Sequence, residues 1–407
     1  MKGWNQGVGR WALLGGLLLV LILAQSWVTY RLFTSQFPGG NDFAARWFNG
    51  CALIWTGENP YSDAVTIQTQ VEVYGQPAPP GEDLVAFSYP IYALYFFWPL
   101  CYLQPYPLVL AIWMTLMLYC VVVGTILMMR VCNLRFATRM LVITLVWAVI
   151  GYPQARAVLL GQMVILVFLA VGLSLLALQR RNDFWAGMAL AVATIKPQVV
   201  FLLVLWLLWT TAWKKRWRFW WGFGMTMVMM MAVGLLLVPS WPIDFARHVL
   251  NYENVTISPY YSLTWMIVQH VLGLGPGVEI GLTALFALYL FSEWWRFRRA
   301  TGESMLWVTG LTLNLTFFIA VQIATTAYIL LLLPIFQLFR LALRQRPRIA
   351  IGMILASELF LLASQWSIFL ATVDGRFETV PAYLLLPISL LAFQILTRNM
   401  LAKEQAQ

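Results

Sequence analysis

The sequence predicts an all-α polytopic membrane protein with about twelve transmembrane helices. Of its 407 residues, 61% are hydrophobic and only 10% are charged, whereas a water-soluble chain carries roughly a quarter charged residues. The hydrophobic residues form long apolar segments, and the basic residues fall in short clusters between them. Such clusters are typical of cytoplasmic loops, so the net charge of +10 indicates a membrane topology and no nucleic-acid partner.

The apolar segments give the number and order of the predicted helices. They lie near residues 11–30, 107–129, 140–155, 159–178, 184–196, 198–212, 217–238, 277–295, 304–321, 327–340, 349–370 and 380–396. The first segment is too long for the apolar part of a signal peptide and shows no convincing cleavage site. We therefore predict a retained first helix.

We predict a single integral membrane domain over residues 1–407. Its parts are 1–106, the first helix with a long loop; 107–238, the central helices; 239–276, a second long loop; and 277–407, the C-terminal helices. With the N-terminus inside, 20 of the 26 Lys and Arg residues fall in cytoplasmic loops. This bias predicts a multi-pass protein of the plasma (cytoplasmic) membrane with both termini cytoplasmic and both long loops outside.

Two apolar segments have basic clusters at both ends and must therefore cross the membrane an even number of times. Their predicted breaks are the stretches TIKPQ, which contains Lys196, and VQIATTAY, which contains Thr325. From Asn182 to Lys196 a helix rises roughly 21 Å, less than the ~30 Å of hydrocarbon. We therefore expect Lys196 inside the bundle, where irregular backbone requires surrounding protein or a water-filled cavity.

The stretch NDFAARWFNGCALIWTGENPY, residues 41–61, predicts a helix in the first outer loop. Asn41 or Asp42 would be its N-cap, and Gly57 and Pro60 would end it. Polar and apolar side chains fall on different faces: Asp42, Arg46 and Asn49 against Phe43, Trp47, Cys51 and Ile54. This pattern predicts an amphipathic juxtamembrane helix with its aromatic residues toward lipid and Asp42 toward water or a cavity. Alternatively, Asp42 only caps the helix and pairs with Arg46.

The remainder of this loop contains a second apolar stretch, FSYPIYALYFFWPLCYL, which predicts a membrane-dipping or interfacial helix. Cys51 and Cys101 could both face outward and pair, although the sequence favours leaving them unpaired. Two histidines without clustered carboxylates argue against a zinc site, so we predict no cofactor. A divalent cation held by outer acids such as Asp42, Glu82 and Asp83 is conceivable, but nothing in the sequence supports it.

An ordered series of motifs resembles glycosyltransferase family 87. The pair Asp42-Phe43, followed by Gly57-Glu58-Asn59-Pro60-Tyr61, is similar to the family's Asp-Phe start and Gly-x-x-Pro-Tyr pattern. Further segments follow in the family's order: FSYPIYALYFFWPL, GQMVILVFLAVGLSLLALQRR, AGMALAVATIKPQVVFLLVLWLL and SPYYSLTWMI. The resemblance covers most of residues 1–340. There are two departures: Ile91 replaces the second Pro after Tyr-Pro, and Ala327 stands where many members have His before Tyr.

The resemblance implies a GT-C-like bundle and a mannosyltransferase-type activity at the outer face. The donor would be a polyprenyl-phosphate sugar, the acceptor a lipid or glycan, and the catalytic carboxylate Asp42. A phosphate leaves without a proton, so this transfer needs one general base and one cation for the phosphate. Lys196 is the predicted cation, since an ionisable residue within a membrane segment costs ~2.5–3.5 kcal/mol and indicates function by default. Snorkelling, or pairing with Glu358, is the alternative.

Further side chains are predicted to bind the donor phosphate or sugar: Arg46, Arg156, Gln162 and Tyr89. Their alternatives are ordinary loop charges for the arginines and a helix–helix hydrogen bond for Gln162. His248, beside Asp244 and Arg247, is a possible site residue, although such a histidine is more often solvated, and His270 is expected to be structural. Membrane lipids are the remaining expected partners.

Two other functions stay open from the sequence. A transporter or flippase would explain helices broken near the middle of the membrane, but the chain shows no duplicated halves. A polymerase or ligase of lipid-linked glycans would also have large outer loops.

Overall fold

The computed structural model describes residues 2–37, 39–250, 262–322, 324–372 and 378–402, and every regular element in these ranges is helical. The α-helices are α1 (Lys2–Thr29), α2 (Asn41–Trp55), α3 (Asp63–Tyr74), α4 (Tyr106–Val131), α5 (Thr138–Ile150), α6 (Tyr152–Leu159), α7 (Val164–Gln179), α8 (Asp183–Ala193), α9 (Phe201–Trp213), α10 (Trp217–Leu237), α11 (Trp241–Leu250), α12 (Leu263–Trp265), α13 (Pro276–Phe297), α14 (Gly302–Ile319), α15 (Leu332–Gln345), α16 (Ala350–Thr372) and α17 (Val380–Ala402). The prediction of an all-α protein is confirmed.

Several of these helices indicate a multi-pass membrane protein. Within the described ranges, seven helical stretches are long and apolar enough to cross a membrane: Leu13–Thr34, Tyr106–Val131, Trp217–Leu237, Pro276–Phe297, Thr325–Gln345, Ala350–Ala371 and Val380–Met400. An eighth span is possible if α5 and α6, bent by 55° at Gly151, act as one. The predicted count of about twelve is not confirmed. The apolar helices α7, α8 and α9 have 16, 11 and 13 residues, too few at ~1.5 Å per residue for ~30 Å of hydrocarbon.

The chain divides into two compact units. The first contains residues 1–120, 158–162 and 238–257, and the second contains residues 121–157, 163–237 and 258–407. The single-domain organisation stays a prediction, and each unit is described below by itself.

In the first unit, helix α2 is enclosed by protein. Phe43 and Trp47 are fully buried, so the prediction that the aromatic face of α2 meets lipid is wrong. The indole N–H groups of Trp47 and Trp55 donate to the carbonyls of Leu100 and Cys101, at 3.3 and 2.7 Å. These bonds attach α2 to the segment in which the second apolar stretch forms two 3-10 helices, Ile91–Phe96 and Trp98–Tyr102, in place of one interfacial helix.

A disulfide joins Cys51 on α2 to Cys101 in the same segment. The sequence favours leaving these two cysteines unpaired, and that expectation is wrong. Folding of the intervening loop brings their Cα atoms to 5.4 Å, within the range that a disulfide spans. The bond and the two indole hydrogen bonds therefore hold α2 in a fixed place within the first unit.

In the second unit, both predicted helix breaks are confirmed. Helix α8 ends at Ala193 and α9 begins at Phe201, and between them lie Lys196 and a 3-10 turn, Pro197–Val199. Helix α14 ends at Ile319, and a 3-10 segment, Thr325–Leu331, precedes α15. The first break follows from a Lys-Pro pair, because the proline disfavours helical backbone at the residue before it.

Close packing of α8 on α10 shows how the second unit is assembled. A Cβ atom on Gly187 would lie 2.1 Å from the backbone oxygen of Phe219, and one on Gly222 would lie 2.0 Å from that of Phe184. Glycines that let helix backbones approach are the usual device in membrane bundles, where burial of apolar surface gives no advantage over lipid. Helix α14 is buried along most of its length.

Candidate functional site

Asp42 is held in the first turn of α2. The N-cap is Gly40, with φ +71° and no side-chain cap, so the prediction of Asn41 or Asp42 at the N-cap is wrong. Phe43, which follows Asp42 in the chain, donates its backbone N–H to the carbonyls of Gly40 and Leu160, at 2.7 and 3.2 Å. Its ring stacks on Trp113 at 4.6 Å between centroids. The backbone and the buried ring together fix the direction of the Asp42 side chain.

Gly161 is required beside this turn. Its φ is +67°, and a Cβ atom there would lie 2.5 Å from the Cβ of Phe43. A larger residue would therefore push the start of α2 away. The neighbouring Gln162, at the connection between α6 and α7, is thereby brought to Asp42.

The carboxylate of Asp42 contacts two polar side chains. The amide of Gln162, 5% exposed, donates a hydrogen bond to Oδ2 of Asp42. A guanidinium nitrogen of Arg46 lies 3.7 Å from Oδ1. Asp42 is 35% exposed by side chain and Arg46 only 11%. The carboxylate makes no cap bond with its own helix, so the capping part of the alternative is not supported, whereas the ion pair with Arg46 that the alternative includes is present.

Tyr89 also contacts Arg46. The guanidinium carbon of Arg46 is 4.4 Å from the centroid of the Tyr89 ring, a cation–π contact that is worth about 0.5–2 kcal/mol. The hydroxyl of Tyr61 donates to the carbonyl of Tyr89 at 2.6 Å. Thus Tyr61, in the Gly-x-x-Pro-Tyr motif, positions Tyr89, and Tyr89 positions Arg46 beside Asp42. The sequence singled out Tyr89 but not the role of Tyr61, for which the motif was the available signal.

His248 belongs to a polar cluster of the same unit, on α11. Its ring lies edge-on to Tyr61 at 5.6 Å between centroids. Asp244 accepts hydrogen bonds from Asn59 at 2.9 Å and Ser240 at 2.6 Å. Asn59, from the same motif as Tyr61, thereby connects the first long loop to α11.

The pKa values of His248 and Asp244 are both below those of free side chains. Burial lowers the pKa of His248, against a hydrogen bond with the Tyr61 backbone and the charge of Asp244, which act to raise it. Burial acts to raise the pKa of Asp244, but the hydrogen bonds from Ser240 and Asn59 outweigh it and leave that pKa below its ordinary value. The cluster therefore favours a neutral imidazole and an ionised carboxylate.

Lys196 lies in the second unit, at the break between α8 and α9, and is 8% exposed, as predicted. The alternative pairing with Glu358 is not found among the described residues. Glu358 accepts instead a hydrogen bond from Thr144 at 2.7 Å, and its second carboxylate oxygen has no hydrogen-bond partner there. The role of Lys196 in phosphate binding stays a prediction.

Arg156, also in the second unit, forms an ion pair with Glu378, which is 2% exposed by side chain. The hydroxyls of Tyr152 and Thr325 both donate to Glu378. Arg156 also donates to the Tyr152 hydroxyl at 3.1 Å. No pattern in the sequence pointed to Glu378, which precedes α17 and lies far along the chain from Arg156. The ion pair favours a structural role for Arg156 over the predicted contact with sugar or phosphate.

In the part of the chain that the structure describes, no three His, Cys, Asp or Glu side chains are grouped closely enough to hold a metal ion. His270, on a π-helical turn after α12, is exposed and stacks on Trp265 at 6.1 Å.

The model of glycosyltransferase family 87 matches residues 87–322, more than half of the chain. The chain belongs to glycosyltransferase family 87. Membership of this family implies a glycosyltransferase that acts on a sugar donor and an acceptor, in agreement with the resemblance seen in the sequence. Neither the curated proteins nor the solved structures contain a significant match.

The matched range contains some of the candidate site residues and not others. Tyr89, Arg156, Gln162, Lys196 and His248 lie within it, whereas Asp42, Arg46 and the Gly-x-x-Pro-Tyr motif precede it. The assignment of Asp42 therefore depends on its own geometry and on the similarity of its motif.

Proposed function

We propose that this family 87 enzyme transfers a hexose, specifically mannose, from a polyprenyl-phosphate donor to a lipid or glycan acceptor at the outer face of the plasma membrane. The observation that supports the proposal best is the environment of Asp42. Its carboxylate is accessible, oriented by Gln162 and accompanied by the positive charge of Arg46. These are the two groups that displacement of a phosphate requires, a base and a cation.

In the proposed reaction, Asp42 accepts the proton of an acceptor hydroxyl. The acceptor oxygen forms a bond to the anomeric carbon of the sugar while the bond between that carbon and the phosphate oxygen breaks. The electron pair leaves with the lipid phosphate, which departs as an anion and needs no general acid. Arg46 offers the nearest described positive charge to Asp42 within the first unit and would stabilise the departing phosphate.

Gln162 has a positioning role in this proposal. By donating to one oxygen of Asp42, it fixes the carboxylate plane and leaves the other oxygen to receive the proton. Tyr89 and Tyr61 act one step further away, through Arg46.

The test is a transfer assay with the purified full-length protein, radiolabelled polyprenyl-phosphate mannose and a membrane extract as the source of acceptor. Asp42→Asn should lower the transfer rate by ~10²–10⁴-fold, which is typical for loss of a general base. Its control is Glu72→Gln, the same change of charge at an exposed residue of α3. Both variants should unfold at the wild-type temperature. Wild-type transfer by a folded Asp42→Asn protein would refute the assignment of the base.

The donor class is tested separately. Wild-type protein should transfer label from the polyprenyl-phosphate sugar and not from a nucleotide sugar. Transfer from the nucleotide sugar alone would refute the donor proposal while leaving Asp42 untouched. Transport of the lipid-linked sugar without transfer or hydrolysis would support the flippase alternative.

Lys196 requires its own experiment. If it binds the donor phosphate, Lys196→Gln should raise the KM for the donor, and Lys196→Arg should restore part of the affinity. A lower unfolding temperature in both variants with an unchanged KM would assign it a structural role.

A further inference from the structure

A basic cleft lies in the second unit at the ends of three helices. It is formed by the C-terminal end of α13, the N-terminal end of α14 and the C-terminal end of α15, and has a volume of about 790 Å³. Its charged lining consists of four arginines and one glutamate: Arg296, Arg299, Arg340, Arg344 and Glu303. None of these residues belongs to the site around Asp42.

The positive charge of the cleft is only partly neutralised. Glu303 pairs with Arg344, and its other oxygen lies 3.9 Å from Arg340. In the described ranges, no carboxylate pairs with Arg296 or Arg299. The described lining residues thus include three more basic than acidic side chains. Lys214, which donates to the carbonyl of Ala300 at 2.5 Å, adds another charge at its edge.

Helix dipoles do not account for this arrangement. Basic residues in the last turns of α13 and α15 are favourable, because the C-terminal end of a helix carries partial negative charge. The same residues also surround the start of α14, whose backbone N–H groups carry partial positive charge. Thr301, the N-cap of α14, makes no side-chain cap bond. A bound anion would satisfy both the arginines and this helix end.

The cleft lies at the level expected for lipid headgroups. The apolar spans Pro276–Phe297 and Thr325–Gln345 both end there. The guanidinium of Arg299, in the cleft lining, lies 5.8 Å from the ring of Trp213. Trp295, which is 50% exposed, precedes Arg296 in the chain. Tryptophans are enriched where a membrane meets water. The anion expected at this position is therefore the phosphate of a lipid headgroup.

We propose that this cleft binds the phosphate headgroup of an anionic membrane phospholipid. Basic pockets between the ends of membrane helices bind such headgroups, and each arginine contributes through its charge and its paired N–H donors. The proposal is independent of the transfer reaction, because it uses no residue placed near Asp42.

The experiment measures lipid binding to the purified full-length protein by native mass spectrometry and by the unfolding temperature. Phosphatidylglycerol is compared with phosphatidylcholine, and glycerol 3-phosphate and inorganic phosphate are tested in separate arms. The double variant Arg296→Gln/Arg299→Gln leaves both ion pairs of Glu303 in place. Its control, Arg135→Gln/Arg139→Gln, removes the same charge from exposed residues before and at the start of α5.

The wild-type protein should bind phosphatidylglycerol more tightly than phosphatidylcholine, and Arg296→Gln/Arg299→Gln should weaken that binding about tenfold or more. The control should bind as the wild type does, and Arg299→Lys should retain most of the affinity. Binding lost equally in both double variants would overturn the proposal in favour of net charge. Stabilisation by the soluble phosphates without any preference for phosphatidylglycerol would overturn it in favour of a free anion.

Discussion

Each compact unit contains an arginine–carboxylate pair, and the two pairs differ in access to solvent. In the first unit, Asp42 is 35% exposed and lies 3.7 Å from Arg46. In the second, Glu378 is 2% exposed and receives Arg156, Tyr152 and Thr325 together. A carboxylate that is surrounded by donors and closed to solvent holds helices in place. One that keeps an accessible oxygen can take a proton from a substrate, so exposure separates the two roles better than charge does.

The largest effect is expected for Glu378, the buried carboxylate of the second pair. Replacement by Ala would leave Arg156 without its buried partner, which typically costs ~3–5 kcal/mol of stability. We expect the unfolding temperature to fall strongly. The double variant Glu378→Met/Arg156→Met removes both charges and should recover much of the loss. If Glu378→Ala instead keeps its stability and abolishes transfer, the second pair is part of the active site and the comparison fails.

The next largest effect is expected for the disulfide that holds α2. The double variant Cys51→Ser/Cys101→Ser should lower the free energy of unfolding by roughly 2–4 kcal/mol, because the unfolded chain is no longer cross-linked. Chemical unfolding with and without a reductant measures this. Reductant should destabilise the wild type and leave the double variant unchanged, and Cys120→Ser, at a free cysteine, is the control. A reductant-insensitive wild type would contradict the pairing.

A smaller effect is expected for Tyr61→Phe. This variant keeps the aromatic contact with Phe87 but removes the hydroxyl that donates to Tyr89. Stability should fall by about 1 kcal/mol, and transfer should fall several-fold because Arg46 loses its support. Tyr74→Phe removes a comparable hydroxyl bond to the carbonyl of Asp83 and should reduce stability without reducing transfer. Equal transfer by the two variants would show that Tyr61 has no positioning role.

The smallest effect is expected for the pH dependence of stability, which His248 influences. The pKa of His248 is lowered by burial below its ordinary value of 6.5, so the unfolded chain binds a proton at a higher pH than the folded chain does. Stability is therefore fully present above about pH 6.5 and is lost as the pH falls through the folded pKa. His248→Gln should flatten the unfolding temperature over that window. A His248→Gln protein that keeps the wild-type pH dependence of its unfolding temperature would refute the prediction.

Several features of this protein follow from the sequence because they depend on local chemistry. The apolar segments predict helices since a backbone in lipid must satisfy its own hydrogen bonds. The break at Lys196 follows from the proline after it, and the buried position of Lys196 follows from the shortness of α8. The motif around Asp42 and the order of the later segments were sufficient to recognise the family.

The tertiary structure decided which side chains meet, because those contacts join positions far apart in the chain. No periodicity in the sequence brings Gln162 to Asp42 or Glu378 to Arg156. The amphipathic pattern of α2 predicts one face toward lipid and one toward water, yet Phe43 and Trp47 are buried in protein. A helical pattern records only that one face is apolar. Whether lipid or protein covers that face, and whether two cysteines meet, depends on where the rest of the chain folds.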